Sequence, residues 1–311
     1  MNEQGHVLVI GGANMDIIGQ PGELLAAGTS SPGRIHTSLG GVARNIAANL
    51  AQLEVDTVLL TAVGDDETGA SLLGRAAGRG IDISEAAVIE GVPSGAYIGL
   101  LAADGSLHYA IDDMAIMEYL TPAYFEAHAA LFENARMVVM DANPLPEAIE
   151  TIVSLCTRYN VPLCADPTSS SLASKLRPYL NTIHMISPNV RETAALCDHQ
   201  LEEHETEAAR KAARALVSLG VDLAVLTLGE HGVVYADVET AGYIPAVKTE
   251  IVDLTGAGDA MSAAIIFGLL EGIPVDECVR LGVTAASLTL RTRETVRSDL
   301  NVDLLYDELV I

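Results

Sequence analysis

Short apolar runs alternate with longer segments of helical spacing along most of the chain. Residues 6–11 have the pattern of a strand, and the small and apolar residues of 42–53 recur at helical intervals. Further strands are predicted at 57–60, 137–140, 162–165, 184–187, 223–227 and 232–235, and further helices near 67–79, 145–159, from 190, 205–219, 258–271 and 275–290. This alternation predicts an α/β fold, in which helices cover both faces of a mostly parallel sheet.

Two stretches interrupt the alternation. Residues 13–38 contain extended polar segments with Gly, Ser and Pro, and residues 94–112 have the pattern of a hairpin with a turn at 103–105. Together they predict a small β-sheet that stands off the main sheet as a lid, and such lids usually cover the ligand. An ordinary edge hairpin is the alternative. With this lid, residues 1–311 are predicted to form a single domain.

The composition is typical of a chain that folds throughout, because half of its residues are apolar and only 19% are charged. The longest apolar runs, such as 223–226, have the length of a strand and not of a membrane span. No basic segment precedes the first strand, so a secretory signal is not expected. The four cysteines are scattered and form no C-x-x-C pair, which argues against a disulfide framework or a zinc site. We therefore expect a cytoplasmic protein with no membrane partner.

The formal net charge of −25 comes from 42 acidic and 17 basic side chains. Binding to a nucleic-acid polymer depends on clustered Lys and Arg, so no such partner is expected. A solvated acidic surface that aids solubility is enough to explain the charge. The charge does not argue against a nucleotide ligand, for which positive charge or a metal ion need only be placed locally.

The strongest chemical signal is the run 253–259, Asp-Leu-Thr-Gly-Ala-Gly-Asp, at the start of a helix rich in small residues. Gly256 and Gly258 lack side chains that would block the approach of a ligand to the backbone. The free N–H groups and the dipole of a helix start bind anions. Asp259 lies in the first turn, where its carboxylate can take a proton from an attacking hydroxyl while the backbone stabilises a transferring phosphoryl group. A glycine turn with Asp259 as a helix cap is the alternative.

A second set of residues suits a ligand that carries hydroxyl groups. Gly40 and Gly41 precede a helix, and Asn45 in its first turn offers both a donor and an acceptor. Asn14 and Asp16 follow the first strand, at the carboxyl edge where α/β proteins bind ligands. Asp16 can accept hydrogen bonds from two adjacent hydroxyls of a sugar. Each of these signals is weak alone, since glycine pairs precede many helices and turns often carry Asn and Asp.

A third set suits a nucleotide and a metal ion. Asn189 and Glu192 are three residues apart on a predicted helix, so they share one face. Such a pair can hold water around Mg²⁺, although a helix cap fits the spacing equally well. The segment 227–232, which includes Thr227, Gly229 and Gly232, follows a strand and can line a phosphate or a ribose; a simple turn is the alternative. The common phosphate loop, dinucleotide fingerprint, zinc helix and nucleophile elbow are all absent from the sequence.

In this order and spacing, the segments resemble the ribokinase-like (PfkB) family of carbohydrate and nucleoside kinases over nearly the whole chain. The resemblance implies a three-layer sandwich with a mostly parallel central sheet, a small β-sheet lid, and ATP and Mg²⁺ as cofactors. Some members also use a monovalent cation such as K⁺ or pair their lid strands in a homodimer. The implied roles are Asp259 as catalytic base with an anion hole at Gly256, Ala257 and Gly258; Asn14, Asp16, Gly40, Gly41, Asn45, Tyr97, Asp113 and Met114 around the acceptor; Asn189, Thr227, Gly229 and Gly232 around ATP; and Glu192 on Mg²⁺ through water.

Within the family, the segments at 31–33, 40–47, 110–114 and 259–261 resemble the members that phosphorylate pseudouridine. The implied reaction transfers the γ-phosphate of ATP to the 5′-hydroxyl of that nucleoside. Two segments depart from that pattern, because Thr-Ser-Ser-Tyr is Ser-Gly-Ala-Tyr at 94–97 and Asn-Asp-Met-Asn is Asp-Asp-Met-Ala at 112–115. The second change removes two amides that can read the edge of a nucleobase.

Three alternatives to a nucleoside kinase follow from the same residues. A ribose, fructose or related sugar kinase needs no contacts to a base, so the lost amides matter less to it. A nucleoside-binding relative without catalysis is disfavoured, since Asp259, the glycines and the Asn189/Glu192 pair are all present. A nicotinamide-dependent dehydrogenase is also an α/β protein, but its fingerprint is missing.

Overall fold

The computed structural model describes residues 5–22, 28–102, 106–197 and 201–309. The strands in these ranges are β1 (His6–Ile10), β2 (Asn14–Pro21), β3 (Gly33–Gly40), β4 (Thr57–Leu60), β5 (Ala62–Gly64), β6 (Ala87–Ile89), β7 (Gly95–Leu101), β8 (Leu107–Asp113), β9 (Ala135–Asp141), β10 (Leu163–Asp166), β11 (Met185–Ile186), β12 (Leu223–Thr227), β13 (Val233–Asp237) and β14 (Ala241–Ile244). The α-helices are α1 (Val42–Gln52), α2 (Glu67–Ala77), α3 (Pro122–Ala127), α4 (Ala129–Glu133), α5 (Pro146–Tyr159), α6 (Val190–Cys197), α7 (Thr206–Ser218), α8 (Ala257–Leu270), α9 (Val275–Leu290) and α10 (Val302–Asp307). Short 3₁₀ helices occupy Ala115–Tyr119, Ala173–Thr182 and Gly229–His231.

The large sheet has eight strands in the order β14-β13-β12-β11-β10-β9-β1-β4. Neighbours from β4 to β12 pair in parallel, whereas β13 and β14 are antiparallel additions at one edge. The predicted mostly parallel sheet is therefore confirmed. Each parallel pair requires a crossover connection, and the helices predicted between the strands supply most of these crossovers.

Helices cover both faces of this sheet because its inner strands are apolar on both sides. In β1, Leu8 and Ile10 join a core with Ile152 of α5, and Val7 and Val9 join a second core with residues of α1, α8 and α9. Successive side chains of a strand point to opposite faces, which produces the two cores. Among the described helices, none combines the length and the apolar character needed to cross a bilayer.

The small sheet has four strands in the order β3-β2-β7-β8. Strand β2 pairs antiparallel with β3 and parallel with β7, and β7 and β8 form the predicted hairpin. The sheet extends to Gly40 and Asp113, beyond the predicted ends at 38 and 112, because Asn14 and Met15 continue the pairing with the end of β3. The predicted turn at 103–105 and part of the predicted segment 13–38, namely 23–27, lie outside the described residues.

Some elements were not predicted from the sequence. The two-stranded β5–β6 sheet and the short helices α3, α4 and α10 all contain few residues, so their periodicity is brief. The large sheet places β1 between β4 and β9. The chain goes from β1 to β4 on one side, and later returns to add β9 on the other side of β1, so the strand order reverses direction at β1. Such a switch point opens a crevice at the carboxyl ends of the strands. The lid begins directly after β1, at this crevice.

Candidate active site

Asp259 lies in the first turn of α8, beside α1 and under the root of the small sheet. Gly256 is the N-cap residue of this helix, and Asp259 is one of the few buried acidic side chains, with 9% of its surface exposed. Its Oδ2 accepts a 2.7 Å hydrogen bond from Asn45 Nδ2 of α1. The carboxylate is thus directed across to α1, which differs from the helix-capping alternative.

Burial raises the pKa of Asp259 to about 7, and the negative charges of Asp141 and Asp16 add to this effect. The hydrogen bond from Asn45 and the positive charge of Arg44 act in the opposite direction. A carboxylate with a pKa near the working pH is well suited to general-base catalysis, because it is partly ionised and still basic enough to take a proton.

Arg44 orients the amide of Asn45. Its Nη1 donates to Asn45 Oδ1 at 2.9 Å and to the carbonyl oxygen of Leu39 at 3.1 Å. Because an amide oxygen accepts and an amide nitrogen donates, this contact leaves Asn45 Nδ2 facing Asp259. Arg44 is 3% exposed, and burial lowers its pKa to about 10.

Gly256 and Gly258 differ in what surrounds them. Gly256 has a φ of +80°, and a side chain there would overlap the carbonyl oxygen of Thr295. No heavy atom lies within 4 Å of the position that a Cβ would take at Gly258. The expectation that both glycines clear space for a ligand is therefore wrong for Gly256, where the fold itself fills the space. Gly258 borders open space at the helix start, next to Ala257.

Of the acceptor residues predicted on the lid, Asn14, Asp16, Gly40 and Tyr97 lie on one face of the small sheet, and Asp113 lies on the other. Asp16 pairs with Ser38 on β3 and with Tyr97 on β7. Asn14 Nδ2 donates to Asp16 Oδ1 at 2.6 Å, and a side chain at Gly40 would overlap the Asp16 carboxylate. Burial raises the pKa of Asp16 to about 6. Gly40 is thus glycine because Asp16 occupies the place of its side chain, not because a ligand does.

Tyr97 and Asp16 are close enough that the Asp16 charge helps to raise the pKa of the Tyr97 phenol, after burial as the main cause. Both side chains face the crevice, together with Asp112, which pairs with Tyr97 on β8. The structure therefore brings this predicted lid residue to the acceptor side.

Gly41 closes the turn from β3 into α1 with a φ of +98°, and a side chain there would overlap the carbonyl oxygen of Gly12. The crossing of these two backbones is held by Asp141, at the end of β9. Its Oδ2 accepts hydrogen bonds from Gly12 N at 2.7 Å and from Ala43 N at 3.2 Å. Burial raises the pKa of Asp141, although these backbone donors oppose the rise.

Met114 fills the space between the lid root and the main sheet. Its Sδ and Cε lie beside Gly95 and Gly12, where the absence of side chains leaves room for it. The Asn143 amide also lies beside Gly12. Asp113 is exposed, and its Oδ1 accepts from the backbone N of Ala115 at 3.3 Å. Met114 therefore lies at the crevice. The Asp113 side chain instead contacts the start of the 3₁₀ helix Ala115–Tyr119.

Asn189 and Glu192 form a reciprocal cap at the start of α6. Asn189 Oδ1 accepts from Glu192 N at 3.0 Å, and Glu192 Oε2 accepts from Asn189 N at 2.8 Å. The capping alternative is thus present in the structure. Glu192 is 7% exposed, and burial raises its pKa. Asn189 also bridges to Thr227 at the end of β12, so the two predicted nucleotide segments are adjacent.

Gly229 and Gly232 both adopt positive φ, at +54° and +95°. A side chain at Gly232 would overlap the carbonyl oxygen of Ile244, and one at Gly229 would meet the Glu203 carboxylate. Both glycines are therefore required by the turn between β12 and β13. Their position beside Thr227 is at the carboxyl edge of the sheet.

Three site residues were missed in the sequence: Asp141, Asp166 and Arg44. Asp166 ends β10 and is in register with Asp141 at the end of β9. Its pKa is raised well above the ordinary value by burial and by the charges of Glu192 and Asp259. The signal that could have found both aspartates is their place, directly after predicted strands 137–140 and 162–165. Arg44 had no such signal, because its contacts form only in three dimensions.

Asp166, Glu192 and Asp259 lie near enough to one another for the charges of Glu192 and Asp259 to raise the pKa of Asp166, but no three acidic, His or Cys side chains in the described ranges are grouped to hold a metal ion directly. Oxygen donors of this kind suit Mg²⁺, which prefers hard ligands and keeps much of its water. On the other side of Asp259 lie Asn45 and Asp16, whose oxygens and amide suit sugar hydroxyls. The carboxylates therefore suit contacts to Mg²⁺ through its water shell on one side of Asp259, and the groups of Asn45 and Asp16 suit a polyol on the other.

Comparisons with known proteins agree with this arrangement. Residues 4–301 match the family described as pfkB family carbohydrate kinase. The chain is 35% identical over 303 residues to pseudouridine kinase of Escherichia coli (strain K12), covering 97% of this chain and 96% of that one. It is 30% identical over 292 residues to the uncharacterized sugar kinase YeiI of the same organism, covering 93% and 79%.

Among solved structures, Arabidopsis thaliana ribokinase complexed with ribose and ATP matches with a TM-score of 0.86 at 23% identity, covering 99% of both chains. At this identity the likeness concerns the fold. A doubly wound sheet with a four-stranded lid over a carboxylate at a helix start defines the ribokinase-like class of α/β proteins. Within that class, the chain belongs to the pfkB family of carbohydrate kinases.

Proposed function

We propose that this protein is an ATP-dependent kinase that phosphorylates the 5′-hydroxyl of a nucleoside, and that the nucleoside is pseudouridine. The observation that carries the proposal is the place of Asp259, between the open backbone at Gly258 and the polar side chains of Asn45 and Asp16. A base in that place has an anion site on one side and a hydroxyl-binding surface on the other.

Asp259 is the general base. The 5′ O–H bond of the acceptor breaks as its proton passes to the Asp259 carboxylate, and the oxygen forms a bond to the γ-phosphorus of ATP. The bond from that phosphorus to the bridging oxygen breaks, and ADP leaves. Asn45 holds Asp259 in place through the 2.7 Å hydrogen bond, and Arg44 holds Asn45.

Asp16 fixes the sugar. Its carboxylate, already fixed by Asn14, accepts hydrogen bonds from the two adjacent ring hydroxyls. Tyr97 and Met114 line the side on which the nucleobase lies. Gly40 and Gly41 allow the chain to turn tightly next to the sugar. Fixing the ring directs the 5′-hydroxyl to Asp259, which lowers the entropy cost of the reaction.

The donor side uses the start of α8 and the segment after β12. The amides at Ala257 and Gly258 face the phosphoryl group that moves, with Gly256 shaping the turn. Asn189, Thr227, Gly229 and Gly232 line the remainder of ATP. Glu192 would hold Mg²⁺ through water, and the ion would supply charge neutralisation to the phosphates.

Pseudouridine is favoured by the 35% identity to the Escherichia coli enzyme of that name along nearly the whole chain. The second candidate is a sugar kinase, favoured by one observation on the lid. The run 112–115 lacks two amides that can read a base, and the Asp113 carboxylate binds the Ala115 backbone. A free sugar needs no such contact.

An assay of ADP release tests the proposal. Purified protein with Mg-ATP is given pseudouridine, uridine, adenosine, ribose or fructose in turn, with 5′-deoxypseudouridine as the matched control acceptor. We expect turnover with pseudouridine and none with the 5′-deoxy analogue. Selective turnover of ribose or fructose would reject the nucleoside and support the sugar kinase. Repeating the assay in K⁺ and in tetramethylammonium tests whether this protein, like some family members, uses a monovalent cation.

We further propose a homodimer that forms through the outer face of the lid. Alternation along the strands gives this face a row of apolar side chains, namely Ile17, Ile35, Ile98, Leu100, Tyr109 and Ile111. Ile35 is 77% exposed and Ile111 is 70% exposed. An apolar sheet face in water is costly, and a second copy of the same face would cover it.

A further inference from the structure

A second cavity lies between the root of the lid and helix α2. Its volume is about 550 Å³, and the residues that line it include Met15, Thr37, Leu39, Ser71, Gly74 and Arg75. Successive side chains of a strand alternate between faces, so Met15 and Leu39 face away from Asp16 and Gly40. Ser38 also lines the cavity and shares the face of Asp16, so the cavity follows the free edge of β3 and the face of the small sheet that is turned away from the acceptor residues.

Helix α2 presents polar groups and open space to this cavity. Ser71, Gly74 and Arg75 are spaced at i, i+3 and i+4, so they share one face of the helix. Nothing lies within 4 Å of the place of a Cβ at Gly74, which leaves the helix backbone accessible there. Arg75 is exposed, and no carboxylate in the described part of the chain lies within ion-pair distance of it.

Two further arginines stand close to Arg75. Arg79 follows shortly after the end of α2, and Arg44 lies on α1; the positive charge of Arg75 contributes to lowering the pKa of each, after burial, while Glu294 raises that of Arg79. Arg79 Nη1 and Arg44 Nε are buried and have no hydrogen-bond partner within the described ranges. Of these three guanidinium groups, that of Arg75 lines the cavity, while Arg44 and Arg79 add positive charge nearby that Asp16, Asp259 and Glu294 partly offset, in a chain of net charge −25. Such a place attracts anions.

The free edge of β3 adds a backbone donor. Leu39 accepts hydrogen bonds through its carbonyl oxygen from Arg44 Nη1 and from Thr295 Oγ1, both outside the small sheet. Strand residues two positions apart point their backbone groups to the same edge, and β3 is the outermost strand. The Thr37 N–H therefore points out of the sheet at the cavity.

We propose that this cavity binds a phosphate-bearing anion, with Arg75 as its charged ligand. A guanidinium offers paired donors that match phosphate oxygens, and the Ser71 hydroxyl and the Thr37 N–H supply further hydrogen bonds. Met15 and Leu39 form an apolar floor for the body of an organic phosphate. The space is open to solvent, and its volume of about 550 Å³ leaves room for inorganic phosphate or for a small phosphate monoester.

The ligand would join α2 to the lid strand that ends at Gly40. It would thereby hold β3 against the main body while leaving Asp259 and the backbone at Gly258 untouched. The proposal does not depend on which acceptor the enzyme phosphorylates, because Ser71, Gly74 and Arg75 take no part in the proposed reaction.

Isothermal titration calorimetry tests the site. Inorganic phosphate is titrated into the full chain in the presence of saturating Mg²⁺ and a non-hydrolysable ATP analogue, which fills the donor-side anion site. We expect one phosphate to bind, and Arg75→Gln to weaken it about tenfold or more, since it removes a charged hydrogen-bonding partner. Ser71→Ala is expected to weaken it about threefold. Arg158→Gln on α5 is the matched control and should stay within about twofold, because exposed charge far from the site is screened.

Three outcomes would overturn the proposal: no phosphate binding with the analogue present, unchanged binding by Arg75→Gln, or equal weakening by Arg158→Gln. A second titration with ribose 5-phosphate distinguishes the sources of the phosphate group. Tighter binding than inorganic phosphate that is lost in Arg75→Gln supports an organic phosphate as the ligand. Equal affinities that are both lost in Arg75→Gln support inorganic phosphate.

Discussion

Asn45 and Asp259 are 214 positions apart in the chain, and Asn45 Nδ2 donates a 2.7 Å hydrogen bond to Asp259 Oδ2. This contact joins the first helix after the lid to the helix that carries the glycine turn. It also lowers the pKa of Asp259 against the larger effect of burial. The pair therefore sets both the position and the basicity of the proposed catalytic base.

Asp259→Asn should remove the base while keeping the size of the side chain. We expect kcat to fall by about 10²–10⁴-fold with little change in the KM for ATP, because general-base catalysis contributes about that much. ADP release measures kcat, and circular dichroism checks the fold. Asp303→Asn, in the first turn of α10, is the control, since it makes the same change in an exposed first turn. Full activity of Asp259→Asn would show that another group takes the proton.

The pH dependence of kcat/KM should report the ionisation of Asp259. Since burial raises its pKa to about 7, activity should decline as the pH falls below about 7. Asn45→Ala removes the hydrogen bond that lowers this pKa, so the decline should begin at a higher pH. A profile that keeps its acid limb near pH 4 in the wild-type protein would contradict the assigned base.

The same raised pKa affects stability with a defined sign. A carboxyl whose folded pKa of about 7 exceeds its ordinary value of 3.8 favours the folded state at low pH, and this contribution is lost as the pH rises to about 7. The loss is at most about 4 kcal/mol, at about 1.4 kcal/mol per unit. Asp259→Asn should therefore gain stability relative to the wild type between pH 4 and pH 8. Denaturant unfolding at both pH values measures the difference, and a constant difference would refute it.

Gly256→Ala should lower the stability of the fold, whereas Gly258→Ala should lower kcat. At Gly256 the methyl group overlaps Thr295 and φ is +80°, so we expect a loss of about 2–4 kcal/mol in the free energy of unfolding. At Gly258 the methyl enters open space, so the fold should persist while kcat falls. Urea unfolding and ADP release separate the two effects. Full activity of a folded Gly258→Ala would place the phosphoryl group elsewhere.

The lid face should control assembly. Light scattering of the wild-type protein is expected to give twice the chain mass of 32.6 kDa. Ile98→Lys with Ile111→Lys places two charges on the apolar face and should give a monomer, whereas Val238→Lys, at an exposed turn residue, should not. A wild-type monomer, or a double variant that remains dimeric, would exclude the lid face as the interface.

Local patterns were enough to predict most secondary-structure elements. Strand 223–227 and helix 275–290 were predicted with the boundaries that the structure has, because each is bounded by residues that break its period. The alternation of strands and helices also predicted the mostly parallel sheet. The strand order and the antiparallel edge at β13 and β14 depend on which strands pair in the folded protein. The local periodicity of the sequence does not predict this pairing.

For the site, the sequence by itself determined the chemical groups: the glycine turn before Asp259, the Asn189/Glu192 pair, and Asp16 after the first strand. Only the tertiary structure decided what each group meets. Gly256 and Gly40 are required by Thr295 and Asp16, which are distant along the chain or on another strand. The pKa of Asp259 depends on burial and on Asn45, Asp141, Asp16 and Arg44. Burial and charge act through space, so a linear pattern could place the carboxylate at the start of a helix but could not predict how strongly it holds its proton.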